Sequence, residues 1–321
     1  MEDDSLKVNW QIETPTPTRQ LRGDSRELLN GLLGSLVTSP DSSSMFWQDI
    51  PHDEEQQQQE VEPLEIHHRE AYEIFLDQMR LQGAIGVVRK LKLFIVGIQL
   101  EKSEFPDQVF VFDSRITEFF EEMKYVIAAH TFWNTETQIQ GAIEGVEKYV
   151  LLKLEKYVFG VNPEEFDMNS KVTKRFKILQ AIVTPDHLEV PEACRNELVL
   201  SLVQEELRRM NQVVAPVDKV DCIVRAISII FNTMSISSRS KRSAGFGADD
   251  FIPVFFYAVL FANIPKLWCN IEYIRKFRNR DALLSESGCC FSHLRSAVEF
   301  FMKADASSFK SMKDSEFIGL N

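Results

Sequence analysis

Phe251 to Ala262, FIPVFFYAVLFA, is the longest apolar run in a chain of 321 residues. It is too short to cross a bilayer, which takes about 20 apolar residues in helical form, and it contains Pro253. Over residues 250–262 it is apolar nearly all round, and a helix without a polar face must be surrounded by other helices. The sequence on either side supplies them. Tyr72, Phe75, Leu76 and Met79 fall on one helical stripe, and Val87, Val88, Leu91, Phe94, Ile95 and Ile98 continue the theme after Gly83. Phe119, Phe120, Met123, Val126 and Ile127 repeat it, as do Ile143, Val146, Val150 and Leu154; this is the 3.6-residue period of an amphipathic helix. Further helices are predicted over about 171–182, 196–212, 217–236, 265–278 and 291–303 from the same period. Thr184-Pro185-Asp186 marks a turn, Pro191 opens another, and Pro216 suits a first helical turn. No stretch alternates apolar and polar residues for long enough to demand a sheet. The fold class is all-α.

Charge divides the chain unevenly. The formal net charge is −12, yet residues 1–65 hold 14 acidic and 4 basic residues, a net −10, so residues 66–321 carry only −2. A nearly neutral body argues against a nucleic-acid binder, which needs a basic stripe to neutralise phosphates. The first 62 residues are rich in Ser, Pro, Asp and Gln, a composition that buries too little apolar area to offset the entropy of ordering it. Two apolar islets interrupt it, Leu28–Val37 and Met45–Ile50, and both remain open to a reading as partner-binding motifs. The expected organisation is a disordered acidic tail over 1–65, a helical bundle over 66–183, and a second helical domain over 184–305 with helices shared from about 171. A polar C-terminal tail follows over 306–321. Residues 237–248, SSRSKRSAGFGA, are expected as a linker between two helices.

The five cysteines, Cys194, Cys222, Cys269, Cys289 and Cys290, form no CxxC pair and are odd in number, so they are read as reduced thiols of a cytoplasmic protein. The Met-Glu-Asp-Asp start has the opposite charge to a signal peptide. Cys289 and His293, four apart, could meet on one helix face, but no third metal ligand and no orienting carboxylate stand at suitable spacing. His67 and His68 are adjacent and cannot face one site together. Phosphate-loop, dinucleotide, zinc-protease and serine-hydrolase motifs are absent from the sequence. Asp249 and Asp250 precede the buried helix, where an acidic residue commonly caps free N–H groups.

Several blocks, in one order, carry a resemblance. Gly247-Ala248-Asp249-Asp250-Phe251-Ile252-Pro253 resembles the signature of the vacuolar protein sorting nine (Vps-nine) domain. The likeness continues through Ala262-Asn263-Ile264-Pro265, Asn270-Ile271-Glu272-Tyr273-Ile274, Phe291-Ser292-His293-Leu294 and Ser296-Ala297-Val298-Glu299-Phe300. Upstream, Glu144 to Val150, Thr184 to Leu188 and Asn211 to Lys219 are similar to the same family's preceding segments. The plant Vps-nine factor and animal Rabex are nearest in pattern.

The resemblance implies a helical bundle packed against an α-helical Vps-nine domain. It implies a guanine nucleotide exchange factor that promotes GDP release from early-endosomal Rab GTPases of the Rab-five class, in endocytic and vacuolar trafficking, from the cytoplasm and transiently on endosomal membranes. Such a factor makes no bonds and needs no cofactor of its own: the Mg²⁺ and the GDP or GTP belong to the partner GTPase. The family's aspartate finger maps onto Asp249, which leaves Asp250 as the cap, and the apolar GTPase-binding groove maps onto Pro253, Asn270, Tyr273, Cys289 and Ser292. A carboxylate pushed into a GTPase site competes with phosphate and metal for the same charges. The chain departs from the family at Gly288-Cys289-Cys290-Phe291, where a tyrosine is usual at the position of Cys289. Ser292 replaces a threonine there and His293 an asparagine; Trp268 is one candidate to compensate. Three readings therefore stand: an active exchange factor, a Rab-binding scaffold of the same fold with weakened exchange, and an unrelated all-α adaptor.

Overall fold

A computed structural model describes residues 64–105, 112–241, 248–313, 315 and 317. The acidic tail, its two apolar islets and the side chains of His67 and His68 lie outside the described residues. Glu62–Asn321 forms one compact unit, and among the described residues it contains helices and turns with no strand. The expected all-α fold is what the chain adopts.

Among the described residues, four helices make the first part. These are α1 (Leu64–Met79), α2 (Ile85–Glu104), α3 (Asp113–Ala128) and α4 (Glu136–Val158). Helix α4 is the hub, packed against α1, α2 and α3. Its start is fixed by a capping box in which Thr135 accepts from the Gln138 amide and Gln138 reaches back, so two otherwise orphaned N–H groups are satisfied at once. Gly145 lets α1 close onto it: a Cβ there would stand 2.4 Å from the Phe75 ring.

The second part holds α5 (Pro163–Gln180), α6 (Glu197–Arg209), α7 (Pro216–Lys241), α8 (Ala248–Phe261), α9 (Leu267–Phe277) and α10 (Glu286–Lys303). Asn162 and Asn196 cap α5 and α6 with their side-chain oxygens, and Pro216 opens α7, where its missing N–H costs nothing. Helix α7 runs through the middle and touches α1, α4, α6, α8, α9 and α10. The run that decided the fold becomes α8, packed against α5, α6, α7 and α10. Phe251, Val254, Phe255, Ala258, Val259 and Leu260 are all buried.

Long-range cations join the two parts. Lys276 of α9 pairs with Asp113 at the start of α3 and with Glu165 of α5. Arg278, just past α9, pairs with Glu144 and, at 3.2 Å, with Glu147, both on α4. Burial pushes the Glu147 carboxyl up to about 7 against the pull of Arg278. Lys148 reaches Asp218 of α7 at 2.8 Å.

Three boundaries differ from expectation. Helix α7 continues to Lys241, so the first five residues of the expected linker are helical. Ser is only about 0.5 kcal/mol poorer than Ala in a helix, and no Gly or Pro interrupts 237–241, so a helix already nucleated by packing propagates. Helix α10 begins at Glu286, five residues early, and so takes in both cysteines. The polar tail expected over 306–321 is anchored. Phe309 is buried against Phe300, and Arg175 lies over the Phe317 ring. The buried Phe309 ring in a Ser/Lys/Asp-rich segment outweighs its average composition, because burying one such ring contributes up to about 3 kcal/mol.

Candidate functional site

Asp249 is the second residue of α8 and Asp250 the third. Both therefore sit in the first helical turn, where unpaired N–H groups and the helix dipole favour a negative charge. The side chain of Asp249 lies outside the described residues. Asp250 is half-buried, and its charge helps burial to push the Cys194 thiol up.

The Asp249 turn is pinned from α10. Phe251 stacks on Phe231 of α7 with ring centroids 4.7 Å apart, and meets His293 of α10 edge-on at 5.4 Å. Cys289 Sγ lies 3.8 Å from His293 Nε2, so the two residues four apart do share a face. Burial lowers the His293 pKa. No cluster of three His, Cys, Asp or Glu able to hold a metal occurs among the described residues, and all five cysteines are free thiols. Burial pushes Cys222 and Cys290 up to about 12, which keeps them protonated and inert.

Gly288 explains why a helix start with two cysteines can sit here. A Cβ at 288 would lie 2.1 Å from the Leu283 carbonyl oxygen, so only glycine lets the first turn of α10 press against the short turn Ala282–Leu284. Ser292, one turn on, is exposed and donates to the Gly288 carbonyl at 3.0 Å. The structure thus brings Cys289 and Ser292 of α10 to the end of α8 that carries Asp249. Pro253 is half-buried in α8.

Asn270 and Tyr273 do not join it. Asn270 is 0% exposed and Tyr273 2%, so neither is open to a partner, and the sequence expectation for them is corrected. The reason is Lys219, itself 1% exposed. Its Nζ donates to the Met210 carbonyl at 2.6 Å and to Asn270 Oδ1 at 2.9 Å, and it lies 4.9 Å from the Phe159 ring and 5.7 Å from that of Tyr273. The Asn270 amide then donates to Asn211 Oδ1 and to the carbonyls of Pro265 and Lys266. One ammonium and one carboxamide therefore close the C-terminus of α6, the turn after it and the loop before α9. Without a hydrogen-bonded carboxylate, burial lowers the Lys219 pKa to about 8, against an opposing pull from Glu155. The Tyr273 hydroxyl has no hydrogen-bond partner, and burial raises its pKa.

The loop from α8 to α9 is held by backbone geometry as well. Asn263 and Lys266 both have φ of 50°, a left-handed conformation that side chains tolerate only when neighbours impose it. Gln180 donates to the Leu260 carbonyl and Asn263 Oδ1, and Arg208 to the Ala262 carbonyl. Trp268, weighed as a compensating aromatic, takes its place on α9 through its backbone amide, which donates to Asn169 of α5. Sequence reasoning missed the Lys219–Asn270 bond and the Phe251–His293 contact, since their partners stand 51 and 42 positions apart and no local pattern signals either.

Residues 200–306, from within α6 to the turn after α10, match the family model of the vacuolar sorting protein 9 (VPS9) domain. The chain is 32% identical over 245 residues to vacuolar protein sorting-associated protein 9A of Arabidopsis thaliana, which covers 76% of this chain and 46% of that protein. The protein of the same name from Oryza sativa is 32% identical over 249 residues, 77% of this chain and 51% of the relative. The Rab5 GDP/GTP exchange factor of Bos taurus is 34% identical over 180 residues, 53% of this chain and 35% of that protein. The chain thus spans about half the length of the plant relatives. Residues 200–306 are a VPS9 domain, and the chain belongs to the VPS9-domain family.

Proposed function

We propose that the chain is a guanine nucleotide exchange factor for a Rab GTPase of the Rab5 class, acting in endosomal and vacuolar trafficking. The observation that carries this reading is the VPS9 match across α6–α10, joined by relatives named as Rab5 exchange factors. Asp249 supplies the finger from the first turn of α8, and the edge made by Pro253, Cys289 and Ser292 receives the GTPase. The buried Lys219–Asn270 pair serves as the frame beneath it. Exchange needs no bond-making. The factor favours the nucleotide-free GTPase over the GDP-bound one, and that difference in affinity is what accelerates release. The helical bundle over 66–183 acts as a support for the exchange domain over 184–305.

The test is release of fluorescently labelled GDP from purified Rab GTPases of the Rab5 class, with Asp249→Ala as control. Acceleration that disappears in the variant supports the reading. No binding to any nucleotide-free Rab would sink it. Cys289 favours a second reading, a scaffold with weakened exchange, because its small side chain offers an incoming GTPase less area than an aromatic ring. Stable binding to nucleotide-free Rab without faster release would select that one.

A further inference from the structure

Helix α2 buries one stripe and leaves a second apolar stripe in water. Val87, Leu91, Ile95 and Ile98 face the rest of the fold. Leu93, Val96 and Leu100 are 68%, 47% and 56% exposed. With Arg89, Gly97 and Glu104, also exposed, they occupy one face within about 50° either side of its centre, at roughly 100° per residue. A Cβ added at Gly97 would meet nothing within 4 Å, so the backbone itself is open there.

The order of residues on this stripe is symmetric about the point between Val96 and Gly97. Leu93 and Leu100 lie equally far from it, and so do Arg89 and Glu104, which carry opposite charges. Neither Arg89 nor Glu104 makes an ion pair within the chain among the described residues. Two such helices laid antiparallel across a two-fold axis would set each Leu93 on the other copy's Leu100 and each Val96 on the other's Gly97. Each Arg89 would meet the other's Glu104. A two-fold interface uses the same patch twice and must be complementary to itself, and this stripe is so in both shape and charge.

We propose that the outer face of α2 pairs with the same face of a second copy of this chain, antiparallel, with the two-fold axis between Val96 and Gly97. The span from Arg89 to Glu104 is about 22 Å at ~1.5 Å per residue. That covers less than the roughly 800 Å² per partner of a stable dimer, so the pairing is reversible, with a dissociation constant on the order of micromolar.

Sedimentation velocity of the full chain at increasing concentration tests this. The expected result is a monomer–dimer equilibrium that Leu93→Glu weakens by about 100-fold, because each dimer buries the new charge twice. Thermal unfolding of that variant should be unchanged, since Leu93 is exposed. Arg89→Glu and Glu104→Arg should each weaken self-association by about 10-fold through like-charge contacts. Mixed together, the two variants should form a heterodimer in which both contacts are complementary again. A chain that stays monomeric at every concentration overturns the proposal; its α2 face would then serve another occupant, the N-terminal tail or a different protein. A dimer indifferent to Leu93→Glu overturns it too. Mixed charge variants that associate no better than either alone would exclude the antiparallel register.

Discussion

The Lys219–Asn270 hub and the α8–α10 edge lie in the same domain and are built on opposite principles. The hub hides polar groups and satisfies most of them, spending one buried charge to tie three chain segments together. The edge sets the first turns of α8 against α10, where Ser292 is exposed and Cys289 and His293 are half-buried. Of the residues that carried the family likeness, Asn211, Lys219, Pro265 and Asn270 belong to the hub, whereas Phe251 meets His293 at the edge. A family pattern therefore mixes two kinds of residue, those that hold the shape and those that meet the partner, and only burial separates them.

Asn270→Leu attacks the hub and carries the largest expected effect. It leaves the Lys219 ammonium buried without its side-chain acceptor, and breaking a buried charged contact costs about 3–5 kcal/mol. The melting temperature should fall by about 10 °C, at 2–4 °C per kcal/mol for a domain of this size, and exchange should be lost at the correspondingly lower temperature. Asp249→Ala makes the opposite cut. It should slow labelled-GDP release by about 100-fold or more, near 2.7 kcal/mol, while the melting temperature moves by at most about 2 °C from the lost helix-dipole term. A large melting shift in Asp249→Ala would place that residue with the frame.

pH sharpens the contrast. The Lys219 pKa is lowered from 10.5 to about 8 on folding, so between those values the unfolded chain binds more protons than the folded one. Stability from this group therefore rises with pH across that window, by about 1.4 kcal/mol per unit, and its full penalty is present below about 8. Chemical denaturation at pH 8 and 9 should show the rise, and Lys219→Met should abolish it. A slope of the same size in Lys219→Met would assign it to another group. The smallest effect is expected at the edge. Cys289→Tyr should raise the exchange rate several-fold by restoring aromatic area, worth about 1 kcal/mol; an unchanged rate would show that Phe251 and His293 already supply the contact.

By itself the sequence determined the fold class, the surrounded helix at 250–262, most helix positions and the likeness that names the domain. These follow from local periodicity and from residue types that the chain keeps at fixed spacing. It determined where Asp249 falls to within one helical turn. Only the tertiary structure decided that Asn270 and Tyr273 are buried, that α7 runs on to Lys241, and that Phe309 and Phe317 anchor a polar segment. It also decided that α2 shows a second apolar face to water. The physical reason is the same throughout. A helical period says that a stripe will be covered without saying by what, and whether a polar side chain meets water or a buried ammonium depends on residues about 50 positions away along the chain.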